Sequence, residues 1–219
     1  MKLAACFDVD GTLTNENVWR GLMRYFQVHA LRRGTHAAFL ALHYPLYLGK
    51  RMGLVGESFF RRNWAAHLAW YLRGYTPQQA EAVWNWVVEE FLPPFWRDDV
   101  RARLEEHLQQ GHVVALVSAG PQPLLERIAR FLGAHYAAGT RFSLRNGVFD
   151  GGILPPVSLD GNKVQRIRHT LQEAGVQVDW QASWAYADSE TDIPLLESVG
   201  NPVAVYPDAV LGEIARMRG

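Results

Sequence analysis

Near the amino terminus the stretch LAACFDVDGTLT ends an apolar run in two aspartates one residue apart, Asp8 and Asp10. Side chains along a strand alternate faces, so both carboxylates point the same way and the carbonyl of Val9 lies between them. Like charges about 4 Å apart repel by roughly 4 kcal/mol at an effective dielectric near 20, and a protein pairs them where a cation or proton offsets that repulsion. Metal-assisted phosphoryl chemistry is the use that fits such a pair. An Asx-rich turn closing a strand is the plain alternative. Three more polar groups follow the same logic: Ser118-Ala119-Gly120 after HVVALV, Lys163 early in GNKVQRIRHTLQEAG, and Asp188 with Asp192 after SWAYA. Taken singly, Ser118 reads as a helix cap and Lys163 as a surface lysine.

The elements that must position these residues can be read from apolar runs and their punctuation. Lys2 to Phe7 reads as a buried strand, and the aromatic-rich region from about Asn15 to Arg97 as several short helices broken at Gly49, Gly53, Gly74, Thr76-Pro77 and Pro93-Pro94. A charged helix from Asp98 to Gln110 stops at Gly111, and HVVALV is a second strand. PQPLLERIARFLG is a helix, TRFSLRNGVFDGG a hairpin turning at Asn146-Gly147, and GNKVQRIRHTLQEAG another helix. SWAYA, DIPLLESVG, NPVAVYP and DAVLGEIARM complete a strand-helix-strand-helix run. This alternation predicts an α/β fold with a mainly parallel sheet and helices on both faces. Ligands of such sheets bind outside the carboxyl ends of the strands, where Asp8/Asp10, Ser118 and Asp188/Asp192 all fall.

Composition narrows the partners. The 219 residues carry 22 Lys+Arg against 22 Asp+Glu, which removes any bulk electrostatic argument for nucleic acid or an anionic membrane surface. The single Cys6 excludes an internal disulfide and reads as a small buried core residue, so a reducing, cytoplasmic location is expected. Asp8 and Asp10 interrupt the only candidate export signal. The longest apolar stretch, Ala37 to Leu48, is too short to span a bilayer and reads as a buried helix, with an interfacial or partner-binding helix as the alternative.

In their order and context, FDVDGTLT, VSAG, GNK and ADSETD resemble the haloacid dehalogenase superfamily of phosphohydrolases. The long insert after the first motif is similar to the helical cap of its phosphoserine phosphatase-like branch. The resemblance implies a Rossmann-like core over residues 1–14 and 98–219, with an α-helical cap over 15–97. It implies an Mg²⁺-dependent phosphatase acting on a small-molecule phosphomonoester. Asp8 is then the nucleophile that forms an aspartyl-phosphate, and Asp10 the acid and later the base. Mg²⁺, which prefers hard oxygen ligands, is expected among Asp8, the Val9 carbonyl, Asp10, Asp188 and Asp192, the last direct or through water. The Ser118 hydroxyl and the amides of Ala119, Gly120, Asp10 and Gly11 are expected to cradle the phosphate, with Lys163 bridging it to Asp8. Thr12 is expected to satisfy backbone groups of the turn.

Two alternatives stay open: a phosphotransferase or phosphomutase of the same superfamily, and a non-catalytic phospholigand-binding module. Phosphoserine phosphatases hold their substrate's ammonium with a glutamate and its carboxylate with a cap arginine. Here Asn17 occupies the first position, with Glu16 beside it, and Arg61, Arg62 and Arg73 are the nearby arginines. Trp19, Phe59, Phe60, Trp64, Trp70 and Tyr71 read first as cap core, or else as shelter for a bulkier, more apolar alcohol. His36, His43 and His67 read as packing residues. Cap hinges are expected at Thr14-Asn15 and Pro93 to Arg97.

Overall fold

A computed structural model describes residues 1–218. Five parallel strands form the central sheet in the order β3-β2-β1-β6-β7: β1 (Ala4–Phe7), β2 (Val113–Pro121), β3 (Tyr136–Thr140), β6 (Trp184–Ala187) and β7 (Asn201–Ala204). The fold is the expected Rossmann-like α/β sheet with a helical cap and a small hairpin. Alternation along the strands divides the core. Ala5, Phe7, Val114 and Leu116 face one cluster, while Ala4, Cys6, Val113 and Ala115 face the other. Helices α5 (Asp98–Gln109) and α6 (Gln122–Leu132) supply the first cluster through Leu104, Leu124 and Ile128. On the opposite face, α7 (Gly161–Glu173), α8 (Ile193–Leu196) and α9 (Ala209–Arg218) supply Ile167, Leu195 and Leu211. Cys6 is buried among apolar residues, and that burial pushes its thiol up to about 12.

The hairpin pairs β4 (Phe142–Arg145) with β5 (Val148–Ile153) through the expected Asn146-Gly147 turn, both residues at positive φ. Its Phe149 exchanges backbone hydrogen bonds with Gly74 and Tyr75, which ties it to the cap. The cap contains α1 (Val18–Val28), α2 (Arg33–Arg51), α3 (Glu57–His67) and α4 (Pro77–Trp86), joined by short 3₁₀ and π segments. Where it leaves and re-enters the core, Asn15 donates to the carbonyl of Phe95 and Arg97 to that of Leu13, both at 2.9 Å.

Three expectations are corrected. β3 was not anticipated, because YAAGT lacks the β-branched and aromatic run that marks a strand. It forms because small residues are required there: a Cβ on Gly139 would lie 2.8 Å from the Gly120 carbonyl. Gly49 does not break a helix but lies inside α2, as does Pro45. The stretch Ala37 to Leu48 is helical but not buried. Of α2 only Phe39 and His43 are buried, while Leu40, Leu42, Tyr44, Tyr47 and Leu48 are exposed.

Under β1 a polar chain crosses the core. His107 approaches the Tyr186 hydroxyl with Nε2 at 2.8 Å and His112 with Nδ1 at 2.8 Å, and Tyr186 stacks on Phe7 at 4.3 Å. Burial, then the neighbouring His112, pushes the His107 imidazole down to about 4. A group whose folded value lies below its unfolded value near 6.5 contributes fully above about pH 6.5, and the contribution is lost as pH falls toward 4. His107 should therefore cost the folded state about 1–3 kcal/mol across that window. Urea midpoints of the native chain and His107→Gln, measured from neutral to acid pH, should converge as the pH falls; parallel profiles would contradict the assignment.

Candidate active site

The sheet order reverses direction at β1, which has β2 on one side and β6 on the other. At such a switch point the loops after neighbouring strands separate and leave a crevice at their carboxyl ends. Asp8 follows β1, Asp188 follows β6, and Lys163 sits in the first turn of α7. Lys163 Nζ donates to Asp8 Oδ1 at 2.6 Å and also to Asp192 Oδ1, with all three side chains almost wholly buried. Asp8, Asp188 and Asp192 each bring one carboxylate oxygen into a group whose members lie within 4.8 Å of one another.

Several neighbours hold this cluster in place. Thr12 Oγ1 donates to Asp188 Oδ1 at 3.1 Å, and Ser189 Oγ donates to Asp192 Oδ2 at 2.7 Å. Gly11 is at φ +92, and a Cβ there would stand 2.1 Å from Asp188 Oδ2, so only glycine lets that carboxylate reach the crevice. Arg97 Nε donates to the Gly11 carbonyl at 3.1 Å while its guanidinium lies 3.8 Å from the Tyr206 ring centre.

Burial pushes the Asp8 carboxyl up; Lys163 pulls it back, and Asp192, Asp188 and Asp10 add to the rise. Asp188 is pushed up to about 6 by burial and by Asp192. Burial works against the Lys163 charge, but Asp192 and Asp8 outweigh it and hold the ammonium above its ordinary range. Three carboxylates around one ammonium leave an excess of two negative charges in a buried site, matching a divalent cation. The donors are all oxygen, the set that Mg²⁺ prefers.

Asp10 stands apart from this group. Its Oδ1 accepts from the Val18 amide at 2.5 Å and its Oδ2 from Ser118 Oγ at 3.0 Å. Burial raises its carboxyl, with the Val18 and Ser118 hydrogen bonds and then Lys163 and Arg61 opposing. The Val9 carbonyl, expected to face a metal, instead accepts from the Thr14 amide at 3.0 Å, while the Thr14 hydroxyl lies 2.5 Å from the Glu16 carbonyl and 3.1 Å from that of Val9. The Gly11 amide donates to the Thr14 carbonyl and the Gly120 amide to Ser118 Oγ, both at 2.9 Å, so neither donor is free for a phosphate in this state. Ser118 and Ala119 line the crevice beside Asp8, Asp10 and Lys163. Thr12 acts on a carboxylate side chain rather than on its own turn. The supports missed by sequence reasoning are Thr14, Arg97 and Ser189. Ser189 lies within the ADSETD run and was findable by position; nothing marked Arg97, which is 86 residues from Gly11.

Residues 5–197 match the family model for haloacid dehalogenase-like hydrolases. The chain belongs to that family. The "Inhibition of morphological differentiation protein" of Streptomyces azureus is 33% identical over all of this chain and 76% of its own length. "Phosphoserine phosphatase SerB1" of Mycobacterium tuberculosis is 29% identical over 99% of this chain and 68% of its own. A solved Bordetella pertussis protein of unknown function is 26% identical, with a TM-score of 0.82, over 100% of this chain and 97% of that one. The sheet and helical cap of this chain share the fold of solved phosphoserine phosphatases. No helix among the described residues is long and apolar enough to cross a membrane.

In this haloacid dehalogenase-like hydrolase the crevice continues into a cavity of about 480 Å³ under the cap. Of the cap aromatics, Trp19, Phe60 and Trp64 line it, whereas Tyr71 is buried core, Trp70 packs against that core, and Phe59 is exposed. Asn17 and Arg61 also line it, while Arg62 reaches Asp160 instead. His43 touches the cavity with its ring held between the Phe39 carbonyl and His67, and His36 bonds the Tyr71 hydroxyl.

Replacing Lys163 with methionine removes the only ammonium between two buried carboxylates. The expected loss is about 3–5 kcal/mol in chelator-treated protein, because Asp8 and Asp192 are left uncompensated. Added Mg²⁺ should recover part of it. Urea midpoints of the two proteins with and without Mg²⁺ measure both effects.

Proposed function

We propose that this hydrolase is a Mg²⁺-dependent phosphatase that cleaves a small-molecule phosphomonoester through an aspartyl-phosphate on Asp8. The observation that carries the reading is the buried Asp8–Lys163–Asp192 contact beside Asp188, at the switch point of the sheet. A module that only held a phospholigand has no need of a buried carboxyl paired with a lysine at the base of an open crevice.

Asp8 Oδ1 is held by Lys163, which leaves Oδ2 as the oxygen that attacks phosphorus. Attack forms the Oδ2–P bond as the bond from phosphorus to the leaving oxygen breaks. The departing alkoxide takes a proton from Asp10, whose burial favours the protonated form that this step requires. Asp10, now a carboxylate, accepts a proton from water as that water attacks the phosphoenzyme, releasing inorganic phosphate and restoring Asp8. Ser118 joins Asp10 to the strand end, so Asp10 is positioned for both steps by the same hydroxyl. Lys163 keeps positive charge beside the nucleophile and lowers its repulsion with the phosphate dianion.

Asp8 and Asp188 are direct protein ligands in this reading. Asp192, whose oxygens meet Lys163 and Ser189, holds the lysine and stands beside the ion, as a ligand directly or through water. When bound, Mg²⁺ supplies charge stabilisation for the transferring oxygens. The core over 1–14 and 98–219 carries these groups, and the cap over 15–97 closes the leaving-group side. A cytoplasmic location accords with the lone buried Cys6.

Phosphate release from p-nitrophenyl phosphate tests the reading. Activity is expected with Mg²⁺ and lost on chelation. Asp8→Asn should abolish turnover, and Asp10→Asn should lower kcat by about 10²–10⁴. Rapid quench of the native enzyme should trap phosphate on Asp8; full activity in Asp8→Asn would refute the nucleophile.

A further inference from the structure

The leaving-group half of the cavity has aromatic walls and, among the described residues, no carboxylate outside an ion pair. Trp19 and Trp64 meet edge to face at 4.8 Å, Phe60 lies 5.5 Å from Trp64, and Tyr47 lies 6.2 Å from Phe60 at the mouth. These rings, with Leu40 and Leu68, line the space that opens above Asp8 and Asp10. Charged groups are present only as partners of one another. Glu57 takes both Lys50 and Arg61 at 2.7 Å. Burial works against the Glu57 charge, but those two cations outweigh it and hold its carboxyl below the ordinary range. The trio carries one surplus positive charge, which offers a substrate ammonium no partner.

The residues that could grip an amino acid are committed elsewhere. Glu16 pairs with Arg20 at 2.7 Å and accepts from the Asn17 amide at 2.9 Å. Arg62 is turned to Asp160, and the side chain of Arg73 packs on Gly151 of the hairpin. A substrate ammonium would find no unpaired carboxylate on this side of the cavity among the described residues. Burying an unpaired charge costs far more than an ion pair at the rim recovers, so such a site rejects a zwitterion and favours apolar surface.

Resting on the phosphatase reading above, we infer that the leaving group this enzyme selects is an uncharged apolar alcohol, alkyl or aryl, rather than an amino alcohol or a hydroxy amino acid. Specificity then comes from apolar area buried against Trp19, Trp64 and Phe60, and grows with the size of the alcohol until the cavity is filled.

Steady-state kinetics of the Mg²⁺-loaded full chain on ethyl, butyl, hexyl and benzyl phosphate test this, because their alkoxides differ little in basicity and the chemical step is nearly constant. Across the alkyl series kcat/KM should rise by about three- to fourfold per methylene. Butyl phosphate should exceed phosphoserine and phosphoethanolamine by at least about tenfold, and benzyl phosphate, the aryl arm, should exceed ethyl phosphate. Phe60→Ala should lower the hexyl-to-ethyl ratio by about tenfold. Tyr47→Ala, at a side chain 40% exposed where truncation opens no core cavity, should lower it in the same direction. A flat alkyl series, a preference for phosphoserine, or an unchanged ratio in both variants would overturn the inference. Turnover of p-nitrophenyl phosphate alongside any of those results leaves the phosphatase reading standing. No turnover of any ester, p-nitrophenyl phosphate included, overturns that reading and this inference with it.

Discussion

One buried ammonium holds this molecule's chemistry together. Lys163 reaches from α7 to Asp8, 155 residues away, and to Asp192, 29 residues further along. Each of the three groups would be expelled or neutralised if it were buried alone. Together they persist, yet the carboxylates exceed the cation, and the remainder appears as raised carboxyls at Asp8 and Asp188. The site is therefore unstable toward protonation and receptive to a divalent ion. The same imbalance that weakens the fold locally is one that a divalent cation would offset.

Everything that brings those groups into range is a consequence of the sheet. β1 is the central strand and is buried on both faces, so its register with β2 and β6 fixes where Asp8 emerges relative to Ser118 and Asp188. The turn after β1 is then closed by Thr14, whose amide donates to the Val9 carbonyl and whose hydroxyl lies between the carbonyls of Val9 and Glu16. Gly11, left-handed and lacking a Cβ, admits Asp188 to the space a side chain would fill. Backbone groups that are satisfied within the turn keep it rigid, and rigidity at Asp8 is what the proposed catalysis requires.

The core was legible in the sequence because its constraints are local and periodic. Apolar runs ending in Asp8, Ser118 and Asp188 marked strand ends, and in an α/β sheet strand ends share one edge. Hydrogen-bond allocation was not legible. Whether Val9, Gly11 and Gly120 present their backbone groups to a ligand or to the protein depends on Thr14 and on the Ser118 rotamer, and no spacing rule encodes either. β3 escaped notice for a different reason: Gly139 is crowded by the backbone of Gly120 and Gln122, and Ala137 and Ala138 are buried, so packing chose residues that ordinarily signal a loop. In α2 a dense apolar run suggested burial, but much of that surface flanks an open cavity instead.

The cap divides into a part joined to the core and a part that stands over the site, and burial decides which is which. Five of the eleven residues of α1 are buried, and Phe26, Tyr71 and Trp84 belong to the same apolar cluster as Phe7 and Leu116 of the sheet. Swinging the whole cap about Thr14-Asn15 and Pro93 to Arg97 would tear that cluster and break the backbone pairing between those segments. α2 and α3 are different: α2 buries only Phe39 and His43, and α3 only Ala65. Local opening is cheapest where few apolar contacts are lost. Movement that admits substrate would therefore cost least in α2 and α3, which carry the cavity residues Tyr47, Phe60, Arg61 and Trp64.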